Sequence, residues 1–235
     1  QASSAGAERF VEIEADVLGR NQETAERNRA RLATDGVLAL NLVSSPGSGK
    51  TSLLVETLMR LAPDHPVAVI EGDQQTRFDA ERIEATGVTA LQINTGKACH
   101  LDARQIEKAL AQIAMPPAGY LFIENVGNLI CPAGFDLGEK RKVVVLSVTE
   151  GEDKPLKYPD MFAASDLMLL NKVDLLPHLC FDVARCCDYA RRVKPAIRII
   201  LTSAVSGEGL DEWLAWLEAE RSALPKGLRP SGAPP

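Results

Sequence analysis

Seven runs of apolar residues, rich in leucine and β-branched side chains, recur along the chain and centre on Leu40, Val69, Leu91, Phe122, Val145, Leu169 and Ile199. They are nearly continuous rather than alternating, as expected of strands buried on both faces of a parallel sheet. Segments with helical spacing separate most of them, at 76–86, 102–114, 181–193 and 208–220. Alternating strands and helices predict an α/β fold, a mostly parallel sheet flanked by helices. Ahead of the first run, residues 17–33 are rich in Glu, Arg, Ala and Asn and predict an amphipathic helix closed at Gly36. Residues 1–10 and the proline-rich tail, 223–235, are expected to be disordered. That leaves 11–222 as one domain with an N-terminal helix.

Composition narrows the class of partner. The chain has 235 residues, 46% hydrophobic and 25% charged, with 26 Lys and Arg against 32 Asp and Glu, a net charge of −6. This balance argues against nucleic acid as the main partner and against a basic membrane-surface helix. No apolar run approaches the roughly 20 residues of a membrane span, and no secretory signal is visible at the N-terminus. Five cysteines, Cys99, Cys131, Cys180, Cys186 and Cys187, are odd in number and irregular in spacing. They do not form a disulfide framework and are expected as free thiols in a reducing cytoplasm.

The first chemistry lies between the first strand and the next helix, at Ser44-Ser45-Pro46-Gly47-Ser48-Gly49-Lys50-Thr51. A glycine-rich loop in this position lets backbone N–H groups curl around the phosphates of a nucleotide. Gly47, Ser48, Gly49 and Ser52 would line it, Lys50 would meet the β- and γ-phosphates, and the Thr51 hydroxyl would hold Mg²⁺. Ser44 stands where the pattern has its first glycine, at little cost if its φ is negative. The chain is therefore read as a P-loop NTPase.

The base is read further on. Asn171-Lys172-Val173-Asp174 follows the sixth strand. The Asp174 carboxylate can accept two hydrogen bonds from guanine, whereas adenine offers no such donor pair and would leave a desolvated carboxylate unpaired. Asn171 would brace the loop, the Lys172 stem would pack on the base, and Ser203 and Ala204 would add backbone contacts. GTP and GDP are the expected ligands. Asp73, after the second strand, and Glu124, after the fourth, are candidates to hold Mg²⁺ directly or through water. Together with Lys50 they form the candidate catalytic set. The Gly127 N–H would sense the γ-phosphate. Asn128 follows it where Ras-like proteins place a water-orienting Gln, so intrinsic hydrolysis is expected to be slow. No residue is identifiable as general base or arginine finger.

A second constellation is Cys99-His100 with Cys131 just past Gly127. Thiolate and imidazole suit Ni²⁺ or Zn²⁺ rather than Mg²⁺. Spacing alone favours a buried cysteine near a capping histidine over a metal site. What favours a site is position, because both segments leave carboxyl ends of strands, where such sheets bind ligands.

These residues, with Glu71-Gly72-Asp73-Gln74-Gln75-Thr76, Gly96-Lys97-Ala98-Cys99-His100-Leu101-Asp102-Ala103 and Glu150-Gly151-Glu152-Asp153-Lys154-Pro155, resemble the HypB family of hydrogenase nickel-incorporation GTPases over about residues 11–220. The resemblance implies a GTPase domain of the signal-recognition and MinD-like class. It implies a nickel or zinc site from Cys99, His100 and Cys131, and a nucleotide-dependent homodimer. Leu175 and Leu179 would contribute to the dimer face, or be ordinary core leucines. Hydrogenase maturation proteins and the hydrogenase large subunit are the implied partners. The N-terminal Cys-x-x-Cys-Gly-Cys site and the His-rich tract of some members are absent, so a second tight nickel site is not expected. Cys186 and Cys187 point in different directions on a helix and are expected in the core. Hydrolysis is expected to change the Cys99–His100–Cys131 site and release metal. The alternatives are a GTPase chaperone for another nickel enzyme such as urease, or a GTP-dependent interaction switch with a structural zinc.

Overall fold

The fold is described from a computed structural model. Its backbone is described for residues 4–73, 78–96, 98–115 and 117–225, and its side chains from residue 17 onward, excepting Asp73. The seven expected strands all form: β1 (Leu38–Ser44), β2 (Val67–Asp73), β3 (Thr89–Asn94), β4 (Tyr120–Glu124), β5 (Arg141–Ser147), β6 (Leu167–Asn171) and β7 (Arg198–Leu201). They make one sheet in the order β3-β2-β4-β1-β5-β6-β7. Every pairing in it is parallel. All carboxyl ends therefore open onto one edge, and the loops that leave it carry the chemistry.

Side chains alternate across the sheet, so consecutive residues feed opposite cores. Leu38, Leu40, Phe122, Val143, Val145 and Leu169 face one layer, formed by α2 (Lys50–Leu61), α3 (Phe78–Glu84) and α8 (Leu210–Ser222). Ala39, Ile70, Leu121 and Ile123 face α1 (Ser4–Thr34) and α4 (Ala103–Gln112). Val43, Val144, Leu146, Met168 and Leu170 face α6 (Pro159–Ala164) and α7 (Val183–Val193). The short α5 (Lys154–Lys157) leads into α6. Trp213 of α8 is buried and donates from Nε1 to Thr57 Oγ1 of α2 at 2.9 Å. Its polar tip is thus satisfied inside an apolar layer.

Helix boundaries show what the periodicity could not fix. The helix expected at 102–114 is α4, with Asp102 outside it as N-cap in a reciprocal capping box with Gln105. The one expected at 181–193 starts after Asp182, whose side chain accepts from the Arg185 N–H. Both were placed one or two residues early, because a cap is not yet helical. The segment at 208–220 becomes α8 beyond Gly209, which has a φ of +70°. The helix read at 76–86 is described only as Phe78–Glu84; Gln74 to Arg77 lie outside the described residues. The largest correction is α1, which begins at Ser4 rather than near 17. Residues 4–10, expected without structure, are helical, and their strong helix formers Ala5, Ala7, Glu8 and Arg9 account for it. The tail from residue 226 lies outside the described residues. No described helix is long and apolar enough to cross a membrane.

Leu54 of α2 is 1% exposed beneath the central strands. Leu54→Ala is expected to destabilise the fold by about 2–5 kcal/mol, transfer and cavity terms together, as read from the midpoint of urea unfolding.

Candidate functional site

At the carboxyl end of β1 the chain turns through Ser45-Pro46-Gly47-Ser48 into α2. Ser44 stays in the strand and is not among the residues of positive φ, so the serine in the first-glycine position costs nothing there. Gly49 requires its glycine twice over. Its φ is +86°, and a Cβ would come 2.7 Å from Asn171 Nδ2. It caps α2 without any side-chain hydrogen bond. The first N–H groups of this 12-residue helix are thus left for an anion. Ser44 to Ser52, Val126, Gly127 and Lys172 line a cleft of about 510 Å³ at this point. Asp79 and Arg82 of α3 line it too. Arg82 donates to Ser52 Oγ at 3.0 Å and lies 3.5 Å from Asp79 Oδ1. Sequence reading missed Arg82, since nothing in its own segment marks it; only the packing of α3 against α2 brings it here.

Glu124 ends β4, between β1 and β2, and is 2% exposed. Lys50 Nζ lies 2.7 Å from its Oε1, and the Thr51 hydroxyl donates to the same oxygen at 2.6 Å. Its Oε2 is buried without a hydrogen-bond partner, as is Ser48 Oγ. A carboxylate oxygen aimed beside a threonine hydroxyl in a phosphate cleft is the donor set a hard divalent cation takes. The residues present therefore fit Mg²⁺. Asp73 ends β2 at the same edge, but its side chain lies outside the described residues.

The segment Asn171–Asp174, expected to read guanine, is tied to the phosphate loop. Asn171 Nδ2 donates to Ser48 O at 3.0 Å. Lys172 takes a left-handed φ of +62° and its Nζ donates to Gly47 O at 2.6 Å. Asp174 Oδ1 accepts from Ser203 Oγ at 2.5 Å, and Ser203 in turn receives the Val205 and Ser206 N–H groups. Ala204 follows, partly buried against the core below α8. The structure thus ties Asn171 and Lys172 to the phosphate loop and Asp174 to Ser203. Leu175 packs on the core under α7, while Leu179 is 38% exposed.

Beyond the ends of β3 and β4, Cys99, His100 and Cys131 converge, with ligand atoms all within 4.8 Å of one another. Among the described residues no other group of three His, Cys, Asp or Glu side chains lies so close. Cys99 Sγ is 3.5 Å from His100 Nδ1, and the His100 ring tilts against Phe135 at 4.0 Å between centroids. A hydrogen bond with Cys131, and then burial, hold the Cys99 thiol above its usual range. Burial holds the His100 imidazole below its own, with Asp102 opposing. That shift favours the neutral imidazole, the form that binds a metal. A metal entering here displaces the proton of Cys99.

Asn128 joins the two sites. Its Oδ1 accepts from the Ile130 N–H at 2.7 Å and the Cys131 N–H at 3.3 Å, starting the 3-10 turn Cys131–Gly134. Gly127, one residue earlier, lies against the phosphate loop, where a Cβ would come 3.1 Å from Pro46 Cα. Asn125 is fully buried and accepts from the Leu101 N–H at 3.1 Å, so it holds the Cys99-His100 segment. Sequence reading took Asn128 only as a missing glutamine and passed over Asn125. Neither cap is visible without the turn that it closes.

The fold and the cleft define a P-loop nucleotide-binding protein, with a cluster of two thiols and an imidazole that could hold a soft metal. The family described as CobW/HypB/UreG, nucleotide-binding domain, matches residues 38–201, and the chain belongs to that family and, within it, to the HypB hydrogenase maturation factors. It is 67% identical over 215 residues to the hydrogenase maturation factor HypB of Escherichia coli K12, covering 92% of this chain and 74% of that one. A crystal structure of HypB from Helicobacter pylori in complex with nickel superposes with a TM-score of 0.82 at 38% identity, covering 89% of this chain and 99% of that one. The signal recognition particle 54 kDa protein of Aeropyrum pernix, at 13% identity and a TM-score of 0.51, shares the fold alone.

The remaining cysteines stand apart from the metal group. Cys186 and Cys187 are buried on α7, and burial pushes the Cys186 thiol up to about 12. Cys180 is exposed. In native protein, maleimide is expected to label Cys180 first and to leave Cys186 unmodified until denaturant is added, with peptide mass mapping as the check.

Proposed function

We propose that this chain is a GTP-hydrolysing metallochaperone. It binds nickel at Cys99, His100 and Cys131 and couples the state of bound guanine nucleotide to delivery of the metal for [NiFe]-hydrogenase maturation. The observation that carries this reading is the shared segment from Glu124 to Cys131. Its Val126 and Gly127 line the phosphate cleft and its end supplies a metal ligand, with Asn128 as the hinge pin between them. The nickel complex of the Helicobacter pylori relative supports the choice of metal. Zinc remains an acceptable occupant on ligand chemistry.

The residues divide the work. Asp174, fixed by Ser203, reads guanine. The N–H groups of the loop and of the start of α2 hold the phosphates. Lys50, paired with Glu124, is the charge that the β- and γ-phosphates would draw away. Thr51 and Glu124 would hold Mg²⁺, which screens the phosphate oxygens when bound; Asp73 is proposed as a further contact to its waters. Arg82 supplies a cation at the rim. Asn128 cannot orient an attacking water while its carboxamide oxygen caps Ile130 and Cys131, which supports slow intrinsic hydrolysis. Contact of the γ-phosphate with the Gly127 N–H would shift that cap and with it the Cys131 thiolate. Three protein ligands leave a position open, as cargo transfer needs and a closed structural zinc site does not. A homodimer formed with nucleotide is proposed to use the exposed Leu179, with Leu175 behind it. Hydrogenase maturation proteins, and through them the hydrogenase large subunit, are the proposed recipients in the cytoplasm.

Two outcomes test the reading. Nickel affinity of the wild type is expected to differ between GDP and a non-hydrolysable GTP analogue, and Asn128→Ala is expected to reduce that ratio to about one while still binding nucleotide. Equal affinities in the wild type would remove the coupling. Asp174→Asn is expected to weaken GTP binding by about 100-fold or more. The same change favours a xanthine nucleotide, whose ring carbonyl accepts from the new amide. Titration with fluorescent analogues of both bases reads this directly.

A further inference from the structure

The two halves of the metal site come from different loops. Cys99 and His100 lie ahead of α4, and Cys131 lies in the turn that leads to β5. Two asparagines of α1 each reach both. Asn21 accepts the Ala103 N–H at 2.9 Å through Oδ1 and donates from Nδ2 to Asp136 O at 2.8 Å. Asn28, two turns further along the same face, donates to Ala103 O at 2.9 Å and to Leu137 O at 3.0 Å. Ala103 closes the segment that carries His100, and Asp136 and Leu137 close the one that carries Cys131. Both asparagines are buried, Asn28 at 2% exposure and Asn21 at 7%. Outside them, Arg29 grips both oxygens of Asp136 at 2.6 Å.

A buried carboxamide is costly unless its groups are bonded. Leucine would pack this helix face without that cost, as Leu32 does one turn later. What leucine could not do is hold two backbones at a set spacing. We propose that Asn21 and Asn28 are positioning residues of the metal site. Helix α1 is a bracket that fixes the distance from Cys99 and His100 to Cys131, so metal binding and docking of α1 strengthen each other. This rests on the reading of Cys99, His100 and Cys131 as the metal site.

The test uses the full chain carrying Cys180→Ser, with Asn21→Leu and Asn28→Leu introduced singly. Ni²⁺ alone is titrated and followed by its thiolate charge-transfer band. About tenfold weaker binding is expected in each variant, the scale seen when support behind a ligand is lost, with GDP affinity unchanged. A second reading needs no metal. Diamide takes two electrons and two protons from the Cys99 and Cys131 thiols, giving a disulfide and the hydrazine, and this closure is expected to be slower in the variants. A third needs no variant, because linkage is reciprocal. Bound Ni²⁺ is expected to slow hydrogen exchange over residues 20–34 of the wild type.

Wild-type nickel affinity in both variants would overturn the proposal, as would α1 exchange that ignores bound nickel. Should the wild type bind no nickel, the metal reading itself fails, and disulfide closure at the wild-type rate would then sink the bracket separately. Should the leucine variants not fold, the exchange experiment decides alone.

Discussion

The Glu124 carboxylate at the end of β4 is the group on which the rest depends. A carboxylate with 2% of its side chain exposed must be paired, and its partners are Lys50 and Thr51 at the start of α2. The sheet makes this meeting unavoidable. Leu42 of β1 stands opposite Glu124 in parallel register, and the Asn125 N–H donates to Leu42 O at 3.0 Å. β1 must therefore release its loop beside the residues that leave β4. A one-residue slip would carry Glu124 to the other face of the sheet and leave Lys50 buried without a counter-charge.

From that fixed point the next few residues fan out to different tasks. Asn125 turns inward and holds the Leu101 backbone. Gly127 lies flat on the phosphate loop, and Asn128 caps the turn of Cys131. A chain of buried polar groups continues across the sheet. Asn125 donates to Asn41, Asn41 donates to Glu139, and Glu139 lies 3.7 Å from Lys142. Lys142 then donates to the carbonyls of Pro132 and Phe135, each at 3.1 Å, beside Cys131. Burial pushes the Glu139 carboxyl up and Lys142 opposes that shift. Such a network is stable only when every member is satisfied, and then it allows one arrangement. The apolar core would tolerate small shifts of these loops; the polar chain does not.

The phosphate loop and the segment that follows β6 are also less separate than their distance along the chain suggests. Asn171 and Lys172 bond the carbonyls of Ser48 and Gly47, so this segment serves as scaffold for the phosphate loop. The left-handed backbone of Lys172 is strain accepted for that contact. The unbonded Ser48 hydroxyl and Glu124 Oε2 are the complementary fact. Buried polar atoms left open cluster where a charged ligand would complete them.

The sequence by itself determined the seven strands, the parallel sheet and the phosphate loop, and it singled out the Asn171–Asp174 segment at a strand end. Each is a local pattern: apolar runs, glycines where the backbone must curl, or a short polar run after a strand. Cys131 is remote from Cys99 and His100 in the chain, so their grouping rested on strand-end position and family resemblance until the fold brought them together. Helix starts were misplaced, at Asp102 and Asp182 by a residue or so and at α1 by several turns, because caps and propensity blur a boundary that packing settles. Tertiary structure alone decided that Arg82 reaches the phosphate cleft, that Asn128 holds Cys131, and that Asn21 and Asn28 clasp the backbones of Ala103 and of Asp136 and Leu137. These are hydrogen bonds between residues distant in the chain. The polarity of an asparagine is legible in a sequence, but the two backbones it will join are chosen only when the sheet brings them together.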